Sequence, residues 1–191
     1  MTYISVDVET SGLIPGFNSL LSVGAVEIET GSTFHFVTAS VDSHEFEVNW
    51  DVETSIWWRS PEQENARKRL NDLLGSTKRN TAYESNLVIC ADSFVEWLSY
   101  YENPMFVAWP ASFDYPFIQH LFLRTGVDNP FNYRTIDIKS YLCGKLNISF
   151  EMGHDEIAKE YPWLYEEPEF PHDALSDALQ QARVFDRLLN D

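Results

Sequence analysis

Asp7 and Glu9 stand two residues apart in Val6-Asp7-Val8-Glu9-Thr10, inside a run rich in β-branched residues. A strand sends residues i and i+2 to the same face, so both carboxylates project together. Side by side they repel unless a cation lies between them, and an all-oxygen donor set suits a hard ion such as Mg²⁺ or Mn²⁺. The following loop, with Gly12, Pro15 and Gly16, leaves room for a substrate beside the strand end. Taken alone, the pair reads more plainly as a strand end carrying two solvated acids.

Two further segments carry candidate ligands. Asp114 follows the apolar run Phe106-Val107-Ala108-Trp109 and sits in Phe113-Asp114-Tyr115-Pro116, where a strand gives way to a helix. Alone, it reads more plainly as an acid at a helix N-terminus, favoured by the macrodipole. In Pro171-His172-Asp173-Ala174-Leu175-Ser176-Asp177-Ala178, a histidine precedes a helix and an aspartate lies one turn inside it. A neutral imidazole there can accept the proton of an attacking water, and a carboxylate one turn on can bind a metal. A capping cluster around Asp173 with a surface His172 explains the same residues equally well.

The elements that must position these groups follow from pattern. Residues 2–8 read as a strand, and 20–29 and 33–39 as a hairpin around Thr30-Gly31-Ser32. From residue 51, Trp57, Trp58, Ala66, Leu70, Leu73 and Leu74 recur at helical spacing and are interrupted at Ser60-Pro61, which predicts two consecutive helices. The polar stretch 75–86 predicts an exposed connection. A helix at 91–101, a strand at 105–109, a helix at 113–125 and a strand at 133–138 continue the alternation. A short helix at 152–159, a proline-broken loop at 160–171 and an amphipathic helix at 173–189 complete it. An antiparallel meander followed by alternating helices and strands implies an α/β protein with a mixed central sheet flanked by helices. At 191 residues the chain is expected to form a single domain spanning 1–191.

The three segments, in this order, resemble the DEDD superfamily of 3′–5′ exonucleases in its histidine-type (DEDDh, DnaQ-like) branch. Asp7-x-Glu9-Thr10-x-Gly12 is similar to its first motif, Phe113-Asp114 to its second and His172-x-Ala174-x-x-Asp177-Ala178 to its third. The resemblance spans nearly the whole chain and points toward compact stand-alone exonucleases and exoribonucleases such as ribonuclease T. It implies a ribonuclease-H-like fold and two-metal hydrolysis of phosphodiester bonds from the 3′ end of single-stranded RNA or DNA. By the same resemblance, Asp7 bridges two divalent cations, Mg²⁺ or Mn²⁺, Glu9 and Asp177 complete the shell of one, Asp114 serves the second, and His172 is the general base. Thr10, Gly12 and Leu13 would hold the terminal nucleotide, Thr10 at its 3′ end and Leu13 against its base. Where many members carry an Asn before the second-motif Phe-Asp, this chain has Trp109-Pro110, which raises Trp109, beside Phe113, as an alternative stacking surface. Phe17 and Phe117 are further aromatic candidates, with core the favoured place for Phe117.

With 13 Lys and Arg against 30 Asp and Glu, the formal charge is −17, and most of the surface repels a polyanion. Bound divalent cations reverse that locally, so charge does not exclude nucleic acid. Arg67-Lys68-Arg69 and Lys78-Arg79 are the concentrated basic stretches. A solvated helix face is the favoured reading of them; otherwise they would grip the strand outside the centre, or serve a neighbouring subunit's site if the enzyme forms a homodimer as similar ribonucleases do. Cys90 and Cys143 lack CxxC partners, so neither a disulfide framework nor zinc is expected. No apolar run is long enough to span a bilayer, and the N-terminus reads as a strand rather than a signal peptide, so no membrane association and a cytoplasmic location are expected. The competing readings are a catalytically silent nucleic-acid-binding protein of the same fold and a metallophosphatase acting on small esters.

Overall fold

The computed structural model describes residues 1–42, 48–76 and 82–190. Its centre is a five-stranded sheet in the order β3-β2-β1-β4-β5, with β1 at Thr2–Thr10, β2 at Leu20–Glu27, β3 at Thr33–Val37, β4 at Pro104–Ala108 and β5 at Thr135–Asp137. The pairs β1–β2 and β2–β3 are antiparallel, while β1–β4 and β4–β5 are parallel. The mixed sheet expected from the alternation is therefore the one found.

Strand alternation divides the interior. Ile4, Val6 and Val8 of β1 join Val23, Ala25 and Phe106 in the larger core, under helices α3 (Tyr83–Leu98) and α4 (Ala111–Thr125). Phe94 lies at the hub of that core, its ring within 4.7 Å of Phe34 and 6.0 Å of Phe122, centroid to centroid. The opposite face carries Val107 and, with α5 (Ile138–Leu146) and α7 (Ala174–Asn190), buries Leu142, Phe185 and Leu188. Asp7 and Glu9 belong to this second face by strand parity.

Two differences from the sequence reading have a common cause in hydrogen bonding. The stretch 75–86 is not all connection: α2 (Glu64–Ser76) runs into it, and α3 begins at Tyr83, eight residues before the expected start. Tyr83 and Asn86 of that stretch are buried because they bond to the ends of neighbouring strands. The Tyr83 hydroxyl accepts from the Leu20 N–H at 2.9 Å, and Asn86 Nδ2 donates to the Thr38 carbonyl at 2.9 Å. Lys78-Arg79 lies outside the described residues. Helix α5 was not anticipated. It starts because Asp137 caps it, Oδ1 accepting from the Ser140 N–H at 2.8 Å. The other oxygen of Asp137 accepts from the Ala111 N–H at 3.0 Å, so α4 begins two residues earlier than expected and Pro116 falls inside it. The two helices at the start of the predicted pair are α1 (Val52–Trp58) and α2, with a short 3₁₀ turn at Pro61–Gln63 between them, and α6 spans His154–Glu160.

Candidate active site

The acid cluster forms where the sheet runs out. Pairing of β4 with β1 ends at Ser5–Val107, after which the chain turns into α4. The Val8 N–H is taken up instead by Asp114 Oδ1 at 3.1 Å, which draws the second-motif carboxylate against β1 between Asp7 and Glu9. Asp114 is almost fully buried, at 2% exposure.

Helix α7 brings the third segment in from the other side, and a glycine permits it. Gly24 pairs with Asp7 across the β1–β2 ladder, and a Cβ on Gly24 would lie 2.2 Å from the backbone carbon of Ala174. Only a residue without a side chain lets the first turn of α7 approach β2 so closely, and that approach sets Asp177 beside the β1 acids. Glu9, His172 and Asp177 then offer ligand atoms that all lie within 4.8 Å of one another. The His172 N–H donates to Asp177 Oδ2 at 2.9 Å, with His172 itself at φ 61°, in the left-handed region. The imidazole meets the Trp57 ring edge-on at 4.8 Å.

Crowding of acids under cover has a clear electrostatic result. Burial, followed by the charges of Asp114, Glu9 and Asp177, raises the Asp7 carboxyl well above the ordinary carboxylate range. Glu9 is raised in the same way, by burial and then by Asp177, Asp114 and Asp173. Burial pushes Asp114 up to about 8 and Asp177 up to about 7. His172 moves the other way, since burial disfavours the imidazolium and lowers its pKa. Near neutrality the cluster holds protons that a divalent cation would displace, while the histidine is already in the basic form.

A cleft of about 360 Å³ opens beside Glu9, lined by Val8, Thr10, Leu13, Glu53, Thr54, Trp57, Trp58 and Phe113. Leu13 is largely exposed on its rim, and Phe113 is half-buried in its wall. The Thr10 hydroxyl donates to the Gly12 carbonyl at 2.7 Å, which leaves its oxygen only the acceptor role toward a ligand. Gly12 is buried, and a Cβ there would strike the Asn18 side chain at 2.4 Å. The indole N–H of Trp58 ties the loop down by donating to the Thr10 carbonyl at 3.2 Å.

Trp109 stands apart from this cleft. It is 9% exposed, sits in the second core and packs on His154 with centroids 4.4 Å apart, so its faces are taken by protein and do not form the stacking surface expected of it. Phe117 is core, as favoured, and Phe17 is exposed. Of the basic stretch on α2, Arg67 donates to the Trp58 carbonyl at 3.1 Å and Arg69 to Asp173 at 2.8 Å, so two of its three cations are engaged within the fold.

Two residues that sequence patterning did not single out support the cluster. Gln181 donates from Nε2 to Asp7 Oδ1 at 2.8 Å and accepts from the Trp109 N–H at 3.0 Å, which fixes both the Asp7 rotamer and the start of the turn into α4. Its signal was its place four residues after Asp177, on the same helix face. Asp137 contributes to the rise at Asp114 while capping two helices, and Asp137-x-x-Ser140 was its legible sign.

The family described as the 3′-5′ exoribonuclease Rv2179c-like domain matches residues 2–189. The 3′-5′ DNA exonuclease Cap18 of Escherichia coli is 32% identical, over 96% of this chain and 89% of its own length. Among solved structures, the nuclease domain of 3′hExo, a DEDDh family member bound to rAMP, superposes with a TM-score of 0.64 at 14% identity, covering 100% of this chain and 92% of that one. E. coli Exonuclease I in complex with a dA16 oligonucleotide gives a TM-score of 0.58 at 16% identity, over 99% of this chain and 43% of that one. The fold is thus the ribonuclease-H-like fold of DEDDh nucleases. No helix among the described residues is long and apolar enough to cross a membrane.

Proposed function

The chain belongs to the family of 3′-5′ exoribonuclease Rv2179c-like domains and is a 3′–5′ exonuclease; from that premise we propose how it works and on what. The substrate is the 3′ end of single-stranded nucleic acid. The family is described by RNA and the E. coli relative by DNA, and the acid cluster would act on the phosphate common to both, so strands of either sugar fall within the proposal.

One observation carries the reading. Asp7, Glu9, Asp114 and Asp177, drawn from three separated segments, share one covered site in which burial first, and the charges of neighbouring acids second, hold every carboxyl above its ordinary range. A purely structural cluster would gain from replacing such acids with apolar or amide groups. An all-oxygen, multiply anionic donor set fits two Mg²⁺ or Mn²⁺ ions, with Asp7 shared between them, Glu9 and Asp177 on one and Asp114 on the other. When bound, the cations would supply Lewis-acid activation of the attacking water and neutralise charge at the departing 3′ oxygen.

The protein's own groups do the rest. His172, neutral near pH 7 because of its burial and within reach of Glu9 and Asp177, takes the proton of the attacking water. Gln181 holds one Asp7 oxygen and leaves the other to the site. Leu13 and Phe113 receive the terminal base in the cleft beside Glu9, with the Thr10 oxygen positioned as an acceptor for a sugar hydroxyl. Among the described residues, Leu13, Trp57 and Phe113 line that cleft with apolar surface onto which the bases of a lone flexible strand can turn.

The direct test uses a single strand labelled at its 5′ end. With Mg²⁺ or Mn²⁺ the label is expected in a ladder that shortens from the 3′ end, and a chelator stops the shortening. Internal nicks, or loss of the label as a short 5′ fragment, would oppose the proposal, and so would unchanged digestion in chelator.

A further inference from the structure

The turn that carries His172 is held from outside the acid cluster. Arg69, on α2, donates from Nε to Asp173 Oδ2 at 2.8 Å, and the receiving side chain is only 4% exposed. The same guanidinium lies 4.0 Å above the centre of the Phe170 ring. Phe170 and Asp173 flank Pro171-His172, so one side chain grips the turn on both sides of the histidine. The other near base, His35, approaches Asp173 only to 4.0 Å, and burial lowers its pKa, so the charge on Asp173 is met by Arg69. Within the turn, the Phe170 N–H donates to Ser176 Oγ at 2.8 Å and the Ser176 N–H to Asp173 Oδ1 at 3.0 Å.

The backbone at His172 needs such a hold. A φ of 61° is a conformation that residues other than glycine keep only when their surroundings impose it. The His172 ring meets the Trp57 ring edge-on. A guanidinium is suited to the task, because its plane can stack on Phe170 while its edge bonds Asp173; an ammonium provides charge without the stack.

We propose that Arg69 is a positioning residue for His172, clamping Phe170 and Asp173 so that the imidazole stays aimed at the acid cluster. The proposal rests on the reading of His172 as general base. Arg69 does not reach the cluster, and its side chain is 36% exposed along a groove of about 700 Å³ that holds none of Asp7, Glu9, Asp114 or Asp177. Its removal therefore acts first on the turn, through Asp173 and Phe170.

A double-mutant cycle on the full chain tests this, with hydrolysis of a 3′-labelled single strand in Mn²⁺ and calorimetric Mn²⁺ binding as readouts. Arg69→Gln is expected to lower kcat ~10- to 100-fold, the scale of loss from a misaimed reacting group, with KM and Mn²⁺ affinity nearly unchanged. In a His172→Asn background the same substitution should cost nothing further. Arg69→Lys should recover part of the loss. An equal loss in both backgrounds, or a parallel loss of Mn²⁺ affinity, would mean that Arg69 acts on the whole site and would overturn the proposal. If Arg69→Gln melts before the assay temperature, the cycle is run with Arg69→Lys and judged by the same coupling. Full activity in His172→Asn alone would remove the base assignment and the proposal with it, a result distinct from an additive cycle.

Discussion

Asp7→Asn is expected to reduce release of the 3′-terminal nucleotide by at least about a thousandfold while leaving the metal-free protein folded and, above neutrality, more stable. The loss follows from the place of Asp7 at the centre of the cluster, where it is the one acid proposed to serve both cations. Removing a charge that stabilises the transition state by several kcal/mol costs about tenfold per 1.4 kcal/mol. The amide is close to isosteric, and Gln181 Nε2 can still donate to its oxygen, so the packing survives.

The cluster carboxyls have folded pKa values raised above the unfolded values, Asp177 to about 7 and Asp114 to about 8, so the folded state binds more protons. Their contribution is complete below the unfolded carboxylate range and is lost as pH rises through those folded values. Metal-free wild type should therefore lose melting temperature from about pH 4, where the unfolded carboxyls ionise, up to about pH 8, where Asp114 does, and Mg²⁺ or Mn²⁺ should restore most at the upper end, where protons no longer compete. Asp7→Asn removes one of the repelling charges, which flattens the decline and weakens the response to metal. Melting curves with and without metal, read beside the rate of release, check both halves. A variant that binds metal and cuts like wild type would remove Asp7 from the site.

His172→Ala is the second large effect. General-base catalysis contributes roughly 10²- to 10⁴-fold, and a loss in that range is expected in kcat with Mn²⁺ affinity kept within about threefold. Burial lowers the His172 pKa, so the wild-type rate should rise with pH along a limb below the ordinary histidine range and level off near neutrality. That limb should vanish in the variant. Alanine is less at ease than asparagine at φ 61°, so His172→Asn separates loss of the base from backbone strain. Equal loss of rate and of metal affinity would make His172 a structural or ligating group instead.

What could be read ahead of the coordinates, and what could not, divides along physical lines. β-branched content located β1 and helical periodicity located α7, and the i, i+2 and helix-turn spacings of Asp7, Glu9, His172 and Asp177 travel with those elements. No single segment made the cluster evident; their order along the chain did. The start of α3 was hidden because Tyr83 and Asn86 look like solvent-facing residues and are buried through bonds to Leu20 and Thr38, partners about 50 to 60 residues away. Trp109 was misplaced for the opposite reason: an aromatic at a motif position reads as a ligand contact until the packing of His154 against it is known. Gln181 and Gly24 act through close approach in three dimensions, Gln181 to Asp7 and Gly24 to Ala174, and neither spacing nor composition records such distances. Arg69 belongs with them. Its basic neighbours suggest a solvated face or a grip on the substrate, whereas its bond reaches Asp173, 104 residues along the chain.

Crystals grown with Mn²⁺ and a nucleoside 5′-monophosphate, with data collected at the manganese edge, test the account most directly. Anomalous peaks are expected among Asp7, Glu9, Asp114 and Asp177, with the nucleotide's phosphate against them and its base between Leu13 and Phe113. Manganese bound elsewhere with the four carboxylates left bare, or a nucleotide lodged away from that cleft, would contradict it.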